Sequence, residues 1–163
     1  MYCIYLRPKG DCLAQIEKIR KLYDPLANLI EAHITLLHPT NFKDVDKIVS
    51  LLGQMNLSSF NLEPNGVKES LEGNKNYLFL RFKNDQIIKE LHNELYLKFF
   101  HQPDDYNYIP HITLACFNEK NMCLKVKEEL KLDFHHSLKV EELCLEKIAE
   151  DGKSVLLYTK TLL

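Results

Sequence analysis

The chain has 163 residues, of which 45% are hydrophobic and 27% charged, and its formal net charge is -2 at pH 7. This length and composition predict a single globular domain over residues 1–163, large enough to bury a core. The lack of a basic excess argues against a partner that is a long nucleic acid duplex. No run approaches the roughly 18 apolar residues of a membrane span, and the N-terminal apolar run is too short for a signal peptide. We therefore expect a soluble cytoplasmic protein, a monomer, with no membrane partner.

The cysteines bear on the redox compartment. They are five in number, and no two have the C-x-x-C spacing of a zinc ribbon. An odd count at irregular spacings argues against a disulfide framework and fits a reducing cytosol. Their positions are Cys3, Cys12, Cys116, Cys123 and Cys144.

The first third of the chain alternates strand and helix. Residues 1–6 are aromatic and branched and predict a short strand, closed by a turn at 7–10. Apolar residues then recur at helical spacing over 13–23, with Asp11 as the predicted N-cap and Asp-Pro as the stop. A strand carrying the first motif follows, and an amphipathic helix is predicted from 44 to near 53.

The middle of the chain predicts strands and a hairpin. Residues 58–62 alternate like a strand, and a turn or bulge is predicted at 64–66. Residues 76–82 form a second strong strand. The segment 71–75 contains Gly-Asn and is typical of a hairpin turn.

The second half repeats the order. Helical spacing recurs over 87–95 and again over 122–130, separated by a polar segment at 101–107 that is the best candidate for a mobile loop. Two long strands, 138–148 and 154–162, flank a Glu-Asp-Gly hairpin signal.

The same four residues, His-Ile-Thr-Leu, occur at 33–36 and again at 111–114, once in each half. On a strand, alternate side chains point to opposite faces, so each His shares a face with its Thr. The Ile and Leu of each copy then anchor the strand in the core. Recurrence of His on the polar face in both halves favours a functional site over packing alone.

The matching halves predict an α+β fold with two lobes related by a pseudo-twofold axis. Each lobe is of βαβ type, with two antiparallel sheets around a central cleft and the helices outside. In one version of this arrangement, the hairpin of each half joins the sheet of the other half. In this arrangement the two His-Thr faces line one cleft.

Two histidines and two hydroxyls suit the hydrolysis of a phosphate ester at neutral pH. One neutral histidine, His33 or His111, takes a proton from water while the other, protonated, gives one to the leaving oxygen. Thr35 and Thr113 can hydrogen-bond the non-bridging oxygens of the transition state. The sequence does not say which histidine is the base, and the scheme needs no metal and no cofactor.

Further binding residues are candidates. Arg7 and Arg81 lie on or at the end of predicted strands and can reach a phosphate, although a surface strand charge is the commoner reading. Tyr108, with Tyr77 and Tyr158, can stack on a base, although a strand tyrosine is more often a packing residue.

Several other polar residues are interpreted as structural. His38 lies an odd number of residues after the first motif histidine, so it is expected on the opposite face of a regular strand. The pair at 135–136, with Asp133 nearby, lacks metal-ligand spacing and is interpreted as solvated. Cys116 lies beside the second motif, where a buried structural cysteine is the commoner role.

The two motifs, their separation, the chain length and the proline before the second histidine resemble the two-histidine (2H) phosphoesterase superfamily. It includes bacterial RNA 2′,3′-cyclic phosphodiesterases, also called 2′-5′ RNA ligases. The resemblance spans essentially the whole chain, and its specific part is 33–36 and 110–114. It implies a bilobal α+β fold with a central cleft and no metal.

The resemblance also implies roles for the motif side chains. Catalysis falls to His33 and His111, and phosphate binding to Thr35 and Thr113. Members often carry a basic residue soon after the second motif, whereas this chain has Ala-Cys-Phe at 115–117.

Three functional hypotheses follow. The first is a metal-independent phosphoesterase that hydrolyses, or reversibly ligates, a 2′,3′-cyclic or 2′-5′ linked RNA terminus or small nucleotide. The second is a nucleotide- or RNA-binding module of the same fold with little catalysis, suggested by the missing basic residue. The third is a hydrolase of another small ester, such as ADP-ribose 1″,2″-cyclic phosphate or an acyl-phosphopantetheine-like substrate. Ligand binding without turnover, or a substrate panel, distinguishes them.

Overall fold

The computed structural model describes residues 1–102, 104, 107–130, 134 and 136–163. Within these residues the chain forms eight strands and four helices. In order they are β1 (Tyr2–Lys9), α1 (Leu13–Tyr23), β2 (Ile34–Thr40), α2 (Val45–Gln54), β3 (Phe60–Leu62), β4 (Pro64–Glu72), β5 (Lys75–Phe82), α3 (Gln86–Phe100), β6 (Ile112–Phe117), α4 (Lys120–Leu130), β7 (Leu138–Ile148) and β8 (Ser154–Thr161).

The strands form two antiparallel sheets. The first sheet has the order β2-β1-β7-β3, with β8 also paired to β7. Since β1 runs along one edge of β7, strands β3 and β8 share the other edge, at residues 138–140 and 142–148. The second sheet is β4-β5-β6. The predicted α+β class with two antiparallel sheets is confirmed.

The chain halves repeat, and they exchange strands. The order β1-α1-β2-α2 recurs as β5-α3-β6-α4. Strand β4 leaves the first half to pair with β5, and β7 leaves the second half to pair with β1. The helices interlock as well, because α1 packs against β6 and α3 packs against β2. Each half therefore completes the other's sheet.

One hydrophobic cluster joins the two sheets. The Ile and Leu side chains of both motifs are fully buried in it, as predicted from strand alternation. Matching apolar residues of β1 and β5 fill the same cluster, and helix residues such as Ile16 and Ile88 cover it. Because the apolar motif side chains point into this core, the His and Thr side chains point out of it.

A bulge recurs in both motif strands and changes the predicted side-chain directions. Leu36 and Leu37 are both buried, and the pairing of β1 with β2 shifts register there. Ala115 is buried beside the second motif's leucine, with a matching shift between β5 and β6. An extra residue reverses the alternation beyond it. His38 therefore lies on the same face as His33, and the expectation that it faces away was wrong.

Other local predictions were corrected. Helix α1 begins after Cys12, with no capping bond from a side chain, so Asp11 is not its N-cap. Residues 7–9, expected in a turn, continue β1 through a register shift. The bulge predicted at 64–66 is present as a register shift between Pro64 and Val67, but residues 64–72 as a whole form β4, a strand that was not predicted. Its exposed, charged side chains lack the alternation that would have marked it as a strand.

Two predicted turn and cap features are confirmed. Asp44 caps α2 by accepting a hydrogen bond from the Lys47 amide at 3.0 Å. Gly73 and Asn74 make the two-residue turn between β4 and β5, and Gly73 has the positive φ of 60° that such turns require. The predicted loop 101–107 lies partly outside the described residues. The histidine at 135 and Asp133 lie outside them altogether.

Candidate active site

Both motif histidines are held in the same way, immediately before a strand. His33 Nδ1 donates to the carbonyl oxygen of Glu31 at 2.8 Å, and His111 Nδ1 donates to that of Ile109 at 2.7 Å. A carbonyl oxygen only accepts, so Nδ1 carries the hydrogen. In each neutral ring Nε2 is then the unprotonated nitrogen, which can take a proton.

An aromatic ring from the neighbouring strand packs on each histidine. Tyr5 meets His33 edge-on, with ring centroids 5.1 Å apart, and Phe79 stacks on His111 at 3.6 Å. In the strand registers Tyr5 pairs with the first motif threonine and Phe79 with the second. The sequence carries a signal for this second repeat, which we did not recognise: aromatic-Leu-Arg at 5–7 and again at 79–81.

Two adjoining cavities, together called the cleft, lie on the motif faces of the sheets. The smaller cavity, about 330 Å³, is lined by His33 and Thr113. The larger cavity, about 680 Å³, is lined by His111, Thr35 and Thr113. Thr113 and Tyr77 line both cavities. Each histidine thus shares a cavity with the threonine of the other motif, so the structure brings all four motif side chains to one cleft.

The cleft lowers the pKa of both motif histidines. Burial lowers the pKa of His33, and the Arg20 charge adds to this, while the Glu31 carbonyl and nearby acids oppose it. Burial lowers the pKa of His111 to about 4, helped by the Arg81 charge. Desolvation penalises the imidazolium in both cases. At neutral pH both rings are therefore ready to accept a proton.

The two candidate arginines occupy different environments. Arg7 Nη1 lies 3.1 Å from Glu142 Oε2, and its Nε lies 3.6 Å from Glu31 Oε2. Arg7 is not among the residues lining the two cavities. Arg81 lines the larger cavity and lies 3.9 Å from Asp85. Its Nε is buried and has no hydrogen-bond partner among the described residues.

The three candidate tyrosines also differ in their positions relative to the cleft. Tyr108 lines the larger cavity, but its hydroxyl donates to the Thr35 carbonyl at 2.6 Å, and His92 covers one face of its ring at 3.7 Å. Stacking of a base on Tyr108 is therefore restricted to the other face of the ring. Tyr77 lines both cavities, whereas Tyr158 packs against the core.

A buried histidine outside the motifs links the two halves. His92 of α3 donates from Nδ1 to the Leu36 carbonyl of β2 at 2.7 Å, and its Nε2 is bonded to Asp104 at 2.9 Å. Sequence reasoning did not single out His92. The available signal was a histidine between Leu91 and Leu95, on the apolar face of a predicted helix.

The described residues contain neither a cluster suited to a metal ion nor a helix suited to crossing a membrane. No three His, Cys, Asp or Glu side chains in this part of the chain are grouped so as to hold a metal ion. None of the helices that the structure describes combines the length and apolar character needed to cross a membrane.

A family model described as the 2′-5′ RNA ligase superfamily matches residues 8–152. The chain belongs to this superfamily. A superfamily resemblance inferred from two repeated tetrads is thus confirmed over most of the sequence.

Curated relatives of this superfamily member are distant. One from Bacillus licheniformis, whose name places it among phosphoesterases, is 26% identical over 118 residues, covering 70% of this chain and 69% of the relative. One from Geobacillus kaustophilus, similarly named, is 26% identical over 138 residues, covering 82% and 79%. Against a Bacillus cereus relative the chain spans 58% of the relative's length.

Solved structures agree with the fold of the superfamily. Escherichia coli LigT complexed with 3′-AMP has a TM-score of 0.67 at 20% identity, covering 99% of this chain and 97% of LigT. LigT in apo form gives 0.69 at 18% identity, covering 99% and 96%. Kluyveromyces marxianus Usb1 gives 0.55 at 11% identity, covering 96% of each chain. At these identities the likeness concerns the fold alone.

Proposed function

We propose that this protein is a metal-independent phosphoesterase that hydrolyses, or reversibly ligates, 2′,3′-cyclic phosphate or 2′-5′ linked ends of RNA or small nucleotides. The observation that carries the proposal is the crossed arrangement of the cleft. His33 lines a cavity with Thr113, and His111 lines one with Thr35. A phosphate between the cavities would meet a proton acceptor, a proton donor and two hydroxyls.

The proposed hydrolysis needs only these side chains and water. Nε2 of the neutral histidine takes a proton from water, and the new P–O bond forms as the opposite P–O bond to the ribose breaks. Nε2–H of the protonated histidine gives its proton to the leaving ribose oxygen. Thr35 and Thr113 donate hydrogen bonds to the non-bridging oxygens. In ligation a 5′-hydroxyl takes the place of water and each histidine keeps its role. In the reverse reaction, which cleaves the new bond and closes the cyclic phosphate, the two histidines exchange roles.

The nucleotide part of the proposal is supported by ligands of a structural neighbour. LigT has been solved with 3′-AMP, ATP and NADP+. These are small nucleotides carrying phosphate. For the present chain, Arg81 and Tyr108 are the candidate contacts to phosphate and base in the larger cavity, because both line it. Arg7 is the weaker candidate, since carboxylates already hold it.

The proposal is tested by the hydrolysis of the four nucleoside 2′,3′-cyclic phosphates in the presence of EDTA. We expect turnover by the wild type, and a loss of roughly 10²–10⁴-fold in kcat for His33→Ala and for His111→Ala, since each removes one proton transfer. Lys83→Gln, an exposed change outside the cleft, is the matched control and should keep its activity.

Four results would contradict parts of the proposal. Near-normal turnover by either histidine variant would exclude two-histidine catalysis. Activity lost with EDTA and restored by zinc would exclude a metal-independent reaction. Tight nucleotide binding without turnover would favour a binding module, and turnover of ADP-ribose 1″,2″-cyclic phosphate alone would favour the other small ester.

A further inference from the structure

The strands that flank β1 and β5 differ in charge at positions matched by the aromatic-Leu-Arg repeat. Where β7 has Glu146, the matching residue of β4 is Ser70, and where β7 has Cys144, β4 has Lys68. Strand β7 also places Glu142 opposite Arg7, whereas no described residue of β4 is paired with the matching Arg81. At these positions β7 is therefore acidic, whereas β4 is neutral or basic.

The two arginines of the repeat, Arg7 and Arg81, differ in how much of their charge is neutralised by nearby carboxylates. Arg7 is bound by Glu142 at 3.1 Å and approached by Glu31 at 3.6 Å. Among the described residues, Arg81 is approached by one carboxylate, that of Asp85 at 3.9 Å, which is itself bound by Lys89 Nζ at 2.8 Å. An ion pair at 3.9 Å shared with a second cation neutralises little of the guanidinium charge. Arg81 thus keeps its charge for the larger cavity.

Two more nitrogen donors line that cavity. Lys68 is exposed and forms no ion pair with any residue that the structure describes. His38 is turned into the cavity by the bulge at Leu36–Leu37. In the second motif strand the residue at the same offset is Cys116, which lines the smaller cavity instead. The three donors therefore converge only on the side of His111.

The carboxylates of the larger cavity are mostly engaged. Glu69 accepts an ion pair from Lys127, and Asp104 is bonded to His92. Glu72 lies at the hairpin end of β4, opposite Lys75 across the turn, and is the one carboxylate of this lining that forms no ion pair among the described residues. The balance of uncommitted groups in this cavity is therefore cationic, in a space within the range of ligand-binding pockets.

We infer that the larger cavity binds a second phosphate of the substrate through Lys68, Arg81 and His38, in addition to the phosphate that reacts between the motif histidines. The inference rests on the proposed function and narrows its substrate class. The preferred substrate is a 2′,3′-cyclic phosphate that carries a 5′-phosphate or the internucleotide phosphate of an RNA end. A nucleoside 2′,3′-cyclic phosphate with a free 5′-hydroxyl lacks this group.

The test compares adenosine 2′,3′-cyclic phosphate with its 5′-phosphorylated form. The readout is the ratio of the two kcat/KM values, phosphorylated over unphosphorylated. We expect a ratio of at least about 10 for the wild type at low salt, because charge-assisted hydrogen bonds to phosphate are strong. Lys68→Gln and His38→Gln should each lower the ratio severalfold. Lys83→Gln removes a charge from the segment just after β5, outside the cavity, and should keep the wild-type ratio.

The outcomes separate this inference from the proposed function. A wild-type ratio near 1 overturns the second phosphate site and leaves the phosphoesterase proposal standing. A high ratio that neither variant changes overturns the assignment to these residues. Absence of turnover with both substrates counts against the proposed function alone.

A binding measurement keeps the inference testable without turnover. Titration calorimetry compares adenosine 3′,5′-bisphosphate with adenosine 3′-monophosphate. We expect the bisphosphate to bind at least about tenfold more tightly, and the difference to shrink in Lys68→Gln. Equal affinities for the two ligands would overturn the second site whatever the enzyme activity.

Discussion

Each motif histidine is fixed at one nitrogen and available at the other. The Nδ1 bonds to Glu31 and Ile109, two residues upstream, set the ring orientation through the backbone alone. The packed rings of Tyr5 and Phe79 exclude water from one side of each histidine. That exclusion raises the cost of the imidazolium and lowers both pKa values. The same packing that orients the bases therefore also sets the pH at which they work.

The lowered pKa values predict an acidic pH optimum. Catalysis needs one neutral and one protonated histidine, and both pKa values lie below 6.5, with that of His111 about 4. As the pH falls from alkaline values, the first of the two histidines becomes protonated and kcat/KM rises. At still lower pH both are protonated, no neutral base remains, and kcat/KM falls. Initial rates on 2′,3′-cyclic AMP should therefore give a bell-shaped pH profile of kcat/KM with its maximum below pH 6.5.

Removal of the Arg81 charge tests its contribution to the lowered pKa of His111 and hence to the pH optimum. Arg81→Gln removes a cation that lowers the pKa of His111. The limb of the pH profile that reports the titration of His111 should therefore move to higher pH. Lys83→Gln, outside the cleft, should leave the limb in place. A wild-type maximum at or above pH 7 would contradict the prediction.

At the scale of elements, α1 and the segment after it hold the first motif. Arg20 is 2% exposed, and its guanidinium donates to Asp24, to Glu17 and to the Ile30 carbonyl at 2.9–3.1 Å. Glu17 in turn accepts a bond from the amide of Ala32, the residue before His33. A buried arginine therefore ties the helix to the segment that ends in the catalytic candidate.

Removing the guanidinium should cost stability and activity together. Arg20→Met leaves the carboxylates of Asp24 and Glu17 without their cation, and breaking a buried pair in this way costs about 3–5 kcal/mol in the free energy of unfolding. Urea denaturation measures this change. Lys21→Met, at the exposed neighbouring position, is the control. Equal midpoints for the two variants would show that the Arg20 network does not stabilise the segment. The kcat of Arg20→Met should fall as well, because His33 loses its support.

The elements also show where sequence reasoning succeeded and where it failed. The repeated tetrads predicted the strands, the buried faces and the cleft, because alternation within a short strand is local. The predicted direction of the His38 side chain was wrong. The extra residue at Leu36–Leu37 is determined by pairing with β1 and by the core, not by the local sequence. Strand β4 was missed because pairing with β5, not burial of its own side chains, holds it in place.

At the scale of the molecule, the two halves are tied together at the first motif strand. The Tyr108 hydroxyl donates to the Thr35 carbonyl, and His92 donates to the Leu36 carbonyl. The two rings are stacked nearly parallel, with an angle of 6° between them. Tyr108 lies three residues before His111. Its bond to the Thr35 carbonyl therefore connects the backbone of the first motif to the segment that leads into the second.

Loosening this connection should reduce turnover more than substrate binding. Tyr108→Phe keeps the ring and its stack but removes the bond to the Thr35 carbonyl. We expect a loss of about 1 kcal/mol in stability and a severalfold fall in kcat with little change in KM, because the distance between the motifs is less well fixed. Tyr23→Phe, whose hydroxyl has no hydrogen bond among the described residues, is the control. A raised KM with normal kcat would instead indicate direct substrate contact by the hydroxyl.

The exchange of β4 and β7 between the halves also governs the order in which the protein can fold. Arg7 and Glu142, neighbours across the β1–β7 pair, are separated by 135 positions in the chain. During synthesis, β1 can find β2 early, but its other edge stays unpaired until residues 138–148 have left the ribosome. Pairing over such a separation is slow, because chain closure precedes the stabilising contacts. An unpaired edge is also a site for wrong association. The arrangement that brings two motifs to one cleft thus makes nearly the whole chain a requirement for completing the first sheet.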